Sequence, residues 1–592
     1  MSAIQQLLTD HIDIWTAADT EKKSGRGRSS GNAGSVYGIK KLRELILELA
    51  VRGKLVPQDE NDEPASELLK RIAAEKAKLV AEGKIKKSKP LAEITDDEKP
   101  FELPVGWEWT TLISITLINP RNNVEDDLPA SFVPMTLIGT GFNSLHNQET
   151  RIWKEIKQGF THFSEGDVGV AKITPCFENS KACVFSGLIN QVGAGTTELH
   201  IIRPINMTLS PRYILTYVKS PQFLLIGESK MTGTAGQKRL PKDFVESNPF
   251  PLPPIAEQQR IVAKVDELMA LCDQLENQHN NAAEAHDKLV THLLGTLTQS
   301  QNAEDFNSNW LRISEHFDTL FTTEVSIDAL KQPLLQLAVM GKLVPQYPND
   351  EPASELLKRI QAEKAKLIAE GKIKKDKPLA EITDEDKPFD LPENWAWVRL
   401  GQLISLVSGK GFSASEYINE GVRLFQIANV SLGFTKWEIE NFLPVEYLDL
   451  YPDLVLVDGD VLVALNRPLL NGKMKVCIIS GEDLPAILYQ RVGKFKFFGD
   501  YINTRYFYLF LQSRLFIDHL QTQLQGSDQP FINQSQLVQF CFSLPPIKEQ
   551  DLIVVKVDEL MGFCDQLKSH ITESNQLQQK LADVVIGQVI SQ

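Results

Sequence analysis

The segment NDEPASELLKRI stands at residues 61–72 and again at 349–360, and this repetition constrains the fold more than any other feature of the 592-residue chain. Residues 53–100 align without a gap to 341–388 at an offset of 288, with 41 of 48 positions identical. Residues 250–275 align with 542–567 at an offset of 292, with 19 of 26 identical. Each half therefore reads as a repeated block, a dissimilar insert and a second repeated block. Stacked solenoids use repeats of about 20–50 residues, far shorter than these. The chain is a duplicated two-part protein, and its length fits about four domain-sized pieces at roughly 150 residues each.

No run of 18 or more apolar residues is present, so no membrane span is expected. The opening MSAIQQLLTDHIDIW carries acid early and lacks a basic-then-apolar signal layout. Six cysteines form no CxxC pair, and Cys272 and Cys564 fall inside helical patterns as small buried hydrophobes. A reducing cytoplasm is the expected home. The net charge of −15 argues against nucleic acid until it is located. Residues 111–249 hold 13 Lys/Arg against 12 Asp/Glu, and 399–541 hold 12 against 14. The inserts together carry −1, so the remaining −14 lies elsewhere and a local basic face on either insert stays open.

The repeated blocks read as helices. IKKLRELILELAVRGK puts Leu42, Leu45, Ile46 and Leu49 on one face and closes near Gly53. In SELLKRIAAEKAKLVAEGK, Ser66 suits a cap, Leu69, Ile72 and Leu79 form the stripe, and Gly83 ends the helix. The tails KIKKSKP and KIKKDKP read as solvated helix ends, with contact to DNA as the sharper alternative. After LPPI, Ile261, Val265, Leu268, Cys272 and Leu275 recur at alternating spacings of 4 and 3, as do Ile553, Val557, Leu560, Cys564 and Leu567. That is a heptad seam on helices of about forty residues, each roughly 60 Å long, suited to pairing with each other.

The inserts read as mixed α/β. Strand-like GDVGVAKI, KACVFS and GTTELHIIRP precede helix-like SPRYILTYVKSPQFLL, and GDVLVALNRP, KMKVCIIS and AILYQRVGKFKFF precede NTRYFYLFLQSRLFIDHL. A faint alignment matches Gly166-Asp167-Val168 with Gly459-Asp460-Val461, Pro175 with Pro468, Asn179 and Lys181 with Asn471 and Lys473, and Gly233 with Gly526. Framework positions agree while the polar positions between them differ, as in one fold carrying two surfaces. Catalytic motifs are missing. No GxxxxGK[ST] string occurs, Asn248-Pro249-Phe250 lacks the second proline of an adenine-methyltransferase turn, and ten histidines form no metal or triad grouping. What stands out is TGTAGQKRLPK at 232–242, whose glycines permit close backbone approach and whose Gln, Lys and Arg can read base edges. The matching QGSDQPFINQSQ at 525–536 keeps the glycine and changes the readers.

Paired LPPIAEQQRIVAKVDELM and LPPIKEQDLIVVKVDELM, each closing a variable insert and opening a long helix, resemble the specificity subunit of type I restriction–modification systems. The GKLVPQ…NDEPASELLKRI blocks look like one subgroup of that family, the one with an extended N-terminal arm. The resemblance implies an α+β architecture with an internal pseudo-two-fold, in which two α/β target recognition domains alternate with two long-helix regions paired as an antiparallel coiled coil. It implies an arm and linker at 1–39, a helical region at 40–110, recognition domain one at 111–249 and a coiled-coil helix at 250–300. A linker at 301–325, a second helical region at 326–398, recognition domain two at 399–541 and a second helix at 542–592 follow. Each recognition domain would read half of a split asymmetric target in double-stranded DNA, and two modification subunits would dock on the helices. Catalysis would lie on partners: adenine-N6 methylation with S-adenosylmethionine on the modification subunits, and ATP- and Mg-dependent cleavage on restriction subunits, with no cofactor or metal on this chain. The DNA-binding residues expected are Lys172, Thr174, Asn179, Lys181, Thr232, Thr234, Gln237, Lys238 and Arg239 in the first domain, and Asn466, Arg467, Lys473, Lys475, Gln525, Ser527, Gln529 and Asn533 in the second. The competing reading is a coiled-coil interaction scaffold without DNA specificity.

Overall fold

A computed structural model describes Trp15 and residues 36–85, 94–142, 145–205, 208–234, 236–373, 378–526 and 528–591. Most of the expected arm and linker at 1–39, parts of the two basic tails, and Ser527 lie outside the described residues. The chain divides into two compact units, residues 1–283 with 574–592, and residues 284–573.

In the first unit the helix Tyr37–Val51 buries Leu42, Leu45, Ile46 and Leu49, and Gly53 (φ +69°) turns the chain out of it. A Cβ at Gly53 would lie 2.5 Å from the Pro104 ring, so the turn also demands a residue without a side chain. The next helix, Ala65–Ala81, starts after Pro64 without a side-chain cap. Ser66 therefore sits inside the first turn and not at the cap. Pro64 presets the extended entry conformation, and the Ala65 N–H donates instead to the Gly106 carbonyl at 2.8 Å.

The inserted domain opens and closes on one antiparallel pair, Glu108–Thr111 with Pro249–Leu252, whose outermost register partners are Thr111 and Pro249. Between them stand two four-stranded sheets. One orders Thr116–Ile118, Leu199–Pro204, Val168–Ala171 and Ala182–Val184, all antiparallel. The other orders Glu149–Ile152, Pro129–Val133, Val192–Gly195 and Thr161–Ser164, with Pro129–Val133 and Val192–Gly195 parallel. The helix-like stretch after Pro204 forms two helices, Pro211–Val218 and Pro221–Lys230, each capped by a serine just before a proline.

The second unit repeats this order. Helices Glu324–Val339 and Ala353–Ala369 lead to the pair Ala396–Arg399 with Cys541–Leu544, closed by Arg399 and Cys541. The main sheet orders Ile404–Ser408, Val492–Phe497, Val461–Ala464 and Val476–Ile478, and helices Thr504–Gln512 and Arg514–Gln523 follow. Residues 301–325, expected as a linker, carry the helix Ala303–Ser314, with Phe306 fully buried and Phe317 5 % exposed.

The long helices are Ile255–Thr298 and Ile547–Ser591, 44 and 45 residues. Ile261, Val265, Leu268 and Cys272 are fully buried with Leu275 partly so, and Ile553, Val557, Leu560, Cys564 and Leu567 follow the same pattern. Within each unit this stripe shares its core with the short helix of the same unit. Arg43 ties Tyr37–Val51 to Asp273 and Glu276 at 2.7 Å each, and Lys568 reaches Asp328 on Glu324–Val339 at 2.8 Å. The start of the seam is thus covered inside its own unit. The helix ends are exchanged. Val290, Leu294 and Leu297 join the core of the second unit, while Ala582 is buried in the first, where Tyr37 donates to Asp583 at 2.8 Å.

The repeated LPPI-x-EQ string locks each long helix to its recognition domain. Glu257 accepts from Trp107 Nε1 at 2.9 Å and Gln58 Nε2 at 3.1 Å, and Gln58 also donates to the Gly53 carbonyl at 2.7 Å. Glu549 takes the same bonds from Trp395 and Gln346. Gln258 Oε1 accepts the Ser210 N–H at 2.9 Å, and Gln550 Oε1 accepts the Asn503 N–H at 2.8 Å. Burial, reinforced by Asp350, pushes the Glu549 carboxyl from 4.5 up to about 7. Its stabilising contribution is present in full below about pH 4.5 and is lost as pH rises through about 7, because the unfolded carboxyl ionises first. The difference is on the order of 3 kcal/mol. Protection of the start of the helix Ile547–Ser591, taken relative to the intrinsic exchange rate, should therefore fall between pH 5 and 8 in the wild type, and the Glu549→Gln variant should lack that fall.

Candidate nucleic-acid interface

Both domains build the same projecting hairpin from the same backbone bonds. In the first, the Thr232 N–H donates to the Arg239 carbonyl at 3.1 Å and the Arg239 N–H returns to Thr232 at 2.8 Å. The Leu240 N–H donates to the Lys172 carbonyl at 2.7 Å and the Thr174 N–H to Lys238 at 3.1 Å, which stitches the hairpin to the end of the strand Val168–Ala171. In the second, Gln525 and Phe531 exchange the pair at 3.0 and 2.9 Å, Ile532 donates to Leu465 at 3.0 Å, and Arg467 to Pro530 at 2.6 Å. Gly233 (φ +130°) and Gly526 (φ +83°) make the bend, and a Cβ on Gly233 would stand 2.9 Å from the Gln237 carbonyl oxygen. The second hairpin is one residue shorter, so Phe531 falls where Arg239 stands.

Thr232, Thr234, Gln237 and Lys238 are exposed on the first hairpin. Thr174 is buried, and its hydroxyl accepts the Lys238 N–H at 3.1 Å, so this side chain supports the hairpin from beneath. Asn179 is exposed in the turn that follows, and Lys172 is half-buried. Lys181 donates to the Met135 carbonyl at 3.1 Å, and Lys475 to the Ile427 carbonyl at 3.3 Å. Met135 and Ile427 each begin a short 3-10 turn, and Lys181 and Lys475 each accept the N–H of a strand-end alanine, Ala171 or Ala464. The structural counterpart of Lys181 is therefore Lys475 and not Lys473. The second domain inserts the small hairpin Leu469–Leu470 with Lys473–Met474, which shifts the sequence register and places Lys473 at its exposed turn. Burial, with Arg467 nearby, lowers the Lys475 pKa.

Arg467, Gln525 and Gln529 are exposed, and Asn466 pairs half-buried with Phe531. Asn533 is drawn into local structure. Its backbone N–H donates to Gln536 Oε1 at 3.2 Å as a capping box for Gln534–Leu537, and its side chain donates to Gln525 at 3.3 Å. Sequence reasoning missed three residues at the same end of the second sheet: Lys410, Gln490 and Arg491. Ser408 pairs with Gly493 and Ala464 with Val492, so the loops after Ser408, before Val492 and after Ala464 emerge side by side. Lys410 sits 4.0 Å over the Tyr451 ring, and Gln490 and Arg491 are exposed. Among the described residues no group of three or more His, Cys, Asp or Glu is placed to hold a metal, and no helix is long and apolar enough to cross a membrane.

Two copies of one fold, each ending in a matched hairpin with different exposed side chains, suit a protein whose task is discrimination. The type I restriction modification DNA specificity domain matches residues 128–285 and 392–579. The type I restriction enzyme EcoAI specificity subunit of Escherichia coli is 53 % identical over 590 residues, covering 100 % of both chains. The EcoEI specificity subunit of the same species is 51 % identical over 592 residues, covering 98 % of this chain and 99 % of its own. The crystal structure of the HsdS subunit from Thermoanaerobacter tengcongensis aligns with TM-score 0.45 at 19 % identity, over 83 % of this chain and 98 % of that one. This chain belongs to the family of type I restriction–modification specificity subunits.

Proposed function

We propose that this chain supplies sequence recognition to a restriction–modification complex, with each inserted domain reading one half of a split, asymmetric duplex target. The observation that carries the reading is the pair of hairpins: identical backbone stitching, with Thr232, Gln237, Lys238 and Arg239 on one and Gln525, Gln529 and Phe531 on the other. Lysine and arginine can meet phosphate or guanine, glutamine can pair with adenine, and an aromatic edge suits the thymine methyl. The long helices would space the two domains and offer docking surfaces to two modification subunits. S-adenosylmethionine would serve methylation there, and ATP and Mg would serve cleavage on restriction subunits. The near-neutral inserts, set apart from the acidic helical blocks, permit this reading, and the match to a DNA specificity domain supports it over a protein-binding scaffold.

Co-expression with the neighbouring modification subunit, followed by genome-wide mapping of methylated adenines, tests it. A bipartite motif with a fixed unspecified gap is expected. Methylation without a sequence motif, or none in an assembled complex, would leave the scaffold reading in its place.

A further inference from the structure

Arg239 reaches across 41 residues of sequence to Glu198. Its Nε donates to Oε2 at 3.0 Å and its Nη2 to Oε1 at 2.9 Å. The carboxylate backbone is fixed in turn, since the Lys172 N–H donates to the Glu198 carbonyl at 3.0 Å. Arginine carries five N–H donors in one plane, and this grip uses one on Nε and one on Nη2. Among the described residues nothing bonds Nη1. Three hydrogens therefore remain, two on Nη1 and one on Nη2, and one from each terminal nitrogen makes an outward fork, the shape that meets O6 and N7 of guanine. The pair lies at the surface, with the arginine side chain 51 % and the glutamate 25 % exposed. A carboxylate held this close would repel a phosphate, whereas beside a base edge it orients the donor plane at little electrostatic cost.

We propose that Arg239 reads a guanine in the half-site of the first domain, and that Glu198 is the positioning residue that fixes its guanidinium plane. This rests on the DNA-recognition reading above and adds to it a base and a device. The device is confined to one half of the molecule. Arg491 takes the place of Glu198, its carbonyl accepting the Leu465 N–H at 2.9 Å, and Phe531 takes the place of Arg239.

The test uses the full chain with its modification subunit and maps methylated sites for wild type, Arg239→Lys and Glu198→Gln. Lysine keeps the charge and loses the fork. At one position of the first half-site the wild type should demand guanine, and Arg239→Lys should reduce that preference by roughly 10-fold or more. Glu198→Gln should relax the same position by a smaller factor, and the second half-site should stay unchanged in both. Full guanine preference in Arg239→Lys would overturn the role of the fork, and full preference in an Arg239→Ala chain would overturn base reading itself. Unaltered preference in Glu198→Gln, or loss of methylation at every site, would overturn the positioning role. A wild-type complex that methylates no motif at all would instead sink the recognition reading itself.

Discussion

Exchanging residues 111–249 for the corresponding segment of another family member should replace one half of the methylated motif and leave the other half and the gap as they were. The joint explains why such an exchange can fold. Thr111 and Pro249 are register partners at the edge of one antiparallel pair, so the segment leaves and re-enters the helical framework at adjacent points. Gln258 holds the domain through the backbone N–H of residue 210, and Gln550 does the same at residue 503, where serine in one copy and asparagine in the other make no difference to the bond. Two side chains of the segment reach the framework in both copies: Arg212 and Arg505 pair at the surface with Asp266 and Asp558, and a tyrosine makes the buried bond that the donor must keep. Tyr213 and Tyr506, both fully buried, donate to the carbonyls of Pro251 and Ser543 at 3.0 Å each. Each mismatched base pair costs about 1–3 kcal/mol, roughly additively, so the old half-site should lose methylation by on the order of 1000-fold when several pairs change. Alteration of both halves in the mapped motif would show that the domains do not read independently.

The helical framework was legible because its signals are local and duplicated. Leu42, Leu45, Ile46 and Leu49 repeat at helical spacing, the long helices keep a heptad stripe, and the second copy checks the first. Three strands of each main sheet were visible as short apolar runs between turns, whereas the edge strands Thr116–Ile118 and Ile404–Ser408 were not. The second sheet of the first domain was not, since Val192–Gly195 reads VGAG and Thr161–Ser164 reads THFS, neither of which carries an alternating pattern. Ser66 looked like a cap because capping is judged from residue type, whereas Pro64 had already set the entry angle. The Lys181 match failed by two residues because an inserted hairpin cannot be placed by a faint alignment. Glu198, the partner of Arg239, was invisible for a different reason. The contact is made by folding two separate strand ends together, and nothing in either stretch alone announces it. Seam positions were found correctly as buried, yet periodicity names a buried stripe without naming what covers it.

Replacing Gly195 by alanine should open the first recognition domain while sparing the second. Gly195 ends an inner strand of its sheet, pairing in parallel with Val133 and antiparallel with Thr161. An added Cβ would stand 2.1 Å from the Val133 carbonyl oxygen and 3.3 Å from the Phe163 ring, which is itself stacked on Phe185 with centroids 3.6 Å apart. Neither backbone nor stacked ring can yield cheaply, so overpacking should cost about 1–3 kcal/mol. The strain falls three residues before Glu198 and should weaken discrimination in the same half-site. Hydrogen exchange is the right readout, because a chain of two compact units need not unfold in one step. Protection in Pro129–Val133 and Val192–Gly195 should fall by about 5- to 150-fold, with Val461–Ala464 unchanged. Gly409→Ala, whose Cβ would meet the Tyr489 carbonyl oxygen at 2.2 Å, should reverse the pattern. Gly141→Ala meets nothing within 4 Å and should leave both domains intact. Undiminished protection in the Gly195→Ala chain would mean that these strands can separate without loss, and that the glycine is there for some reason other than close approach.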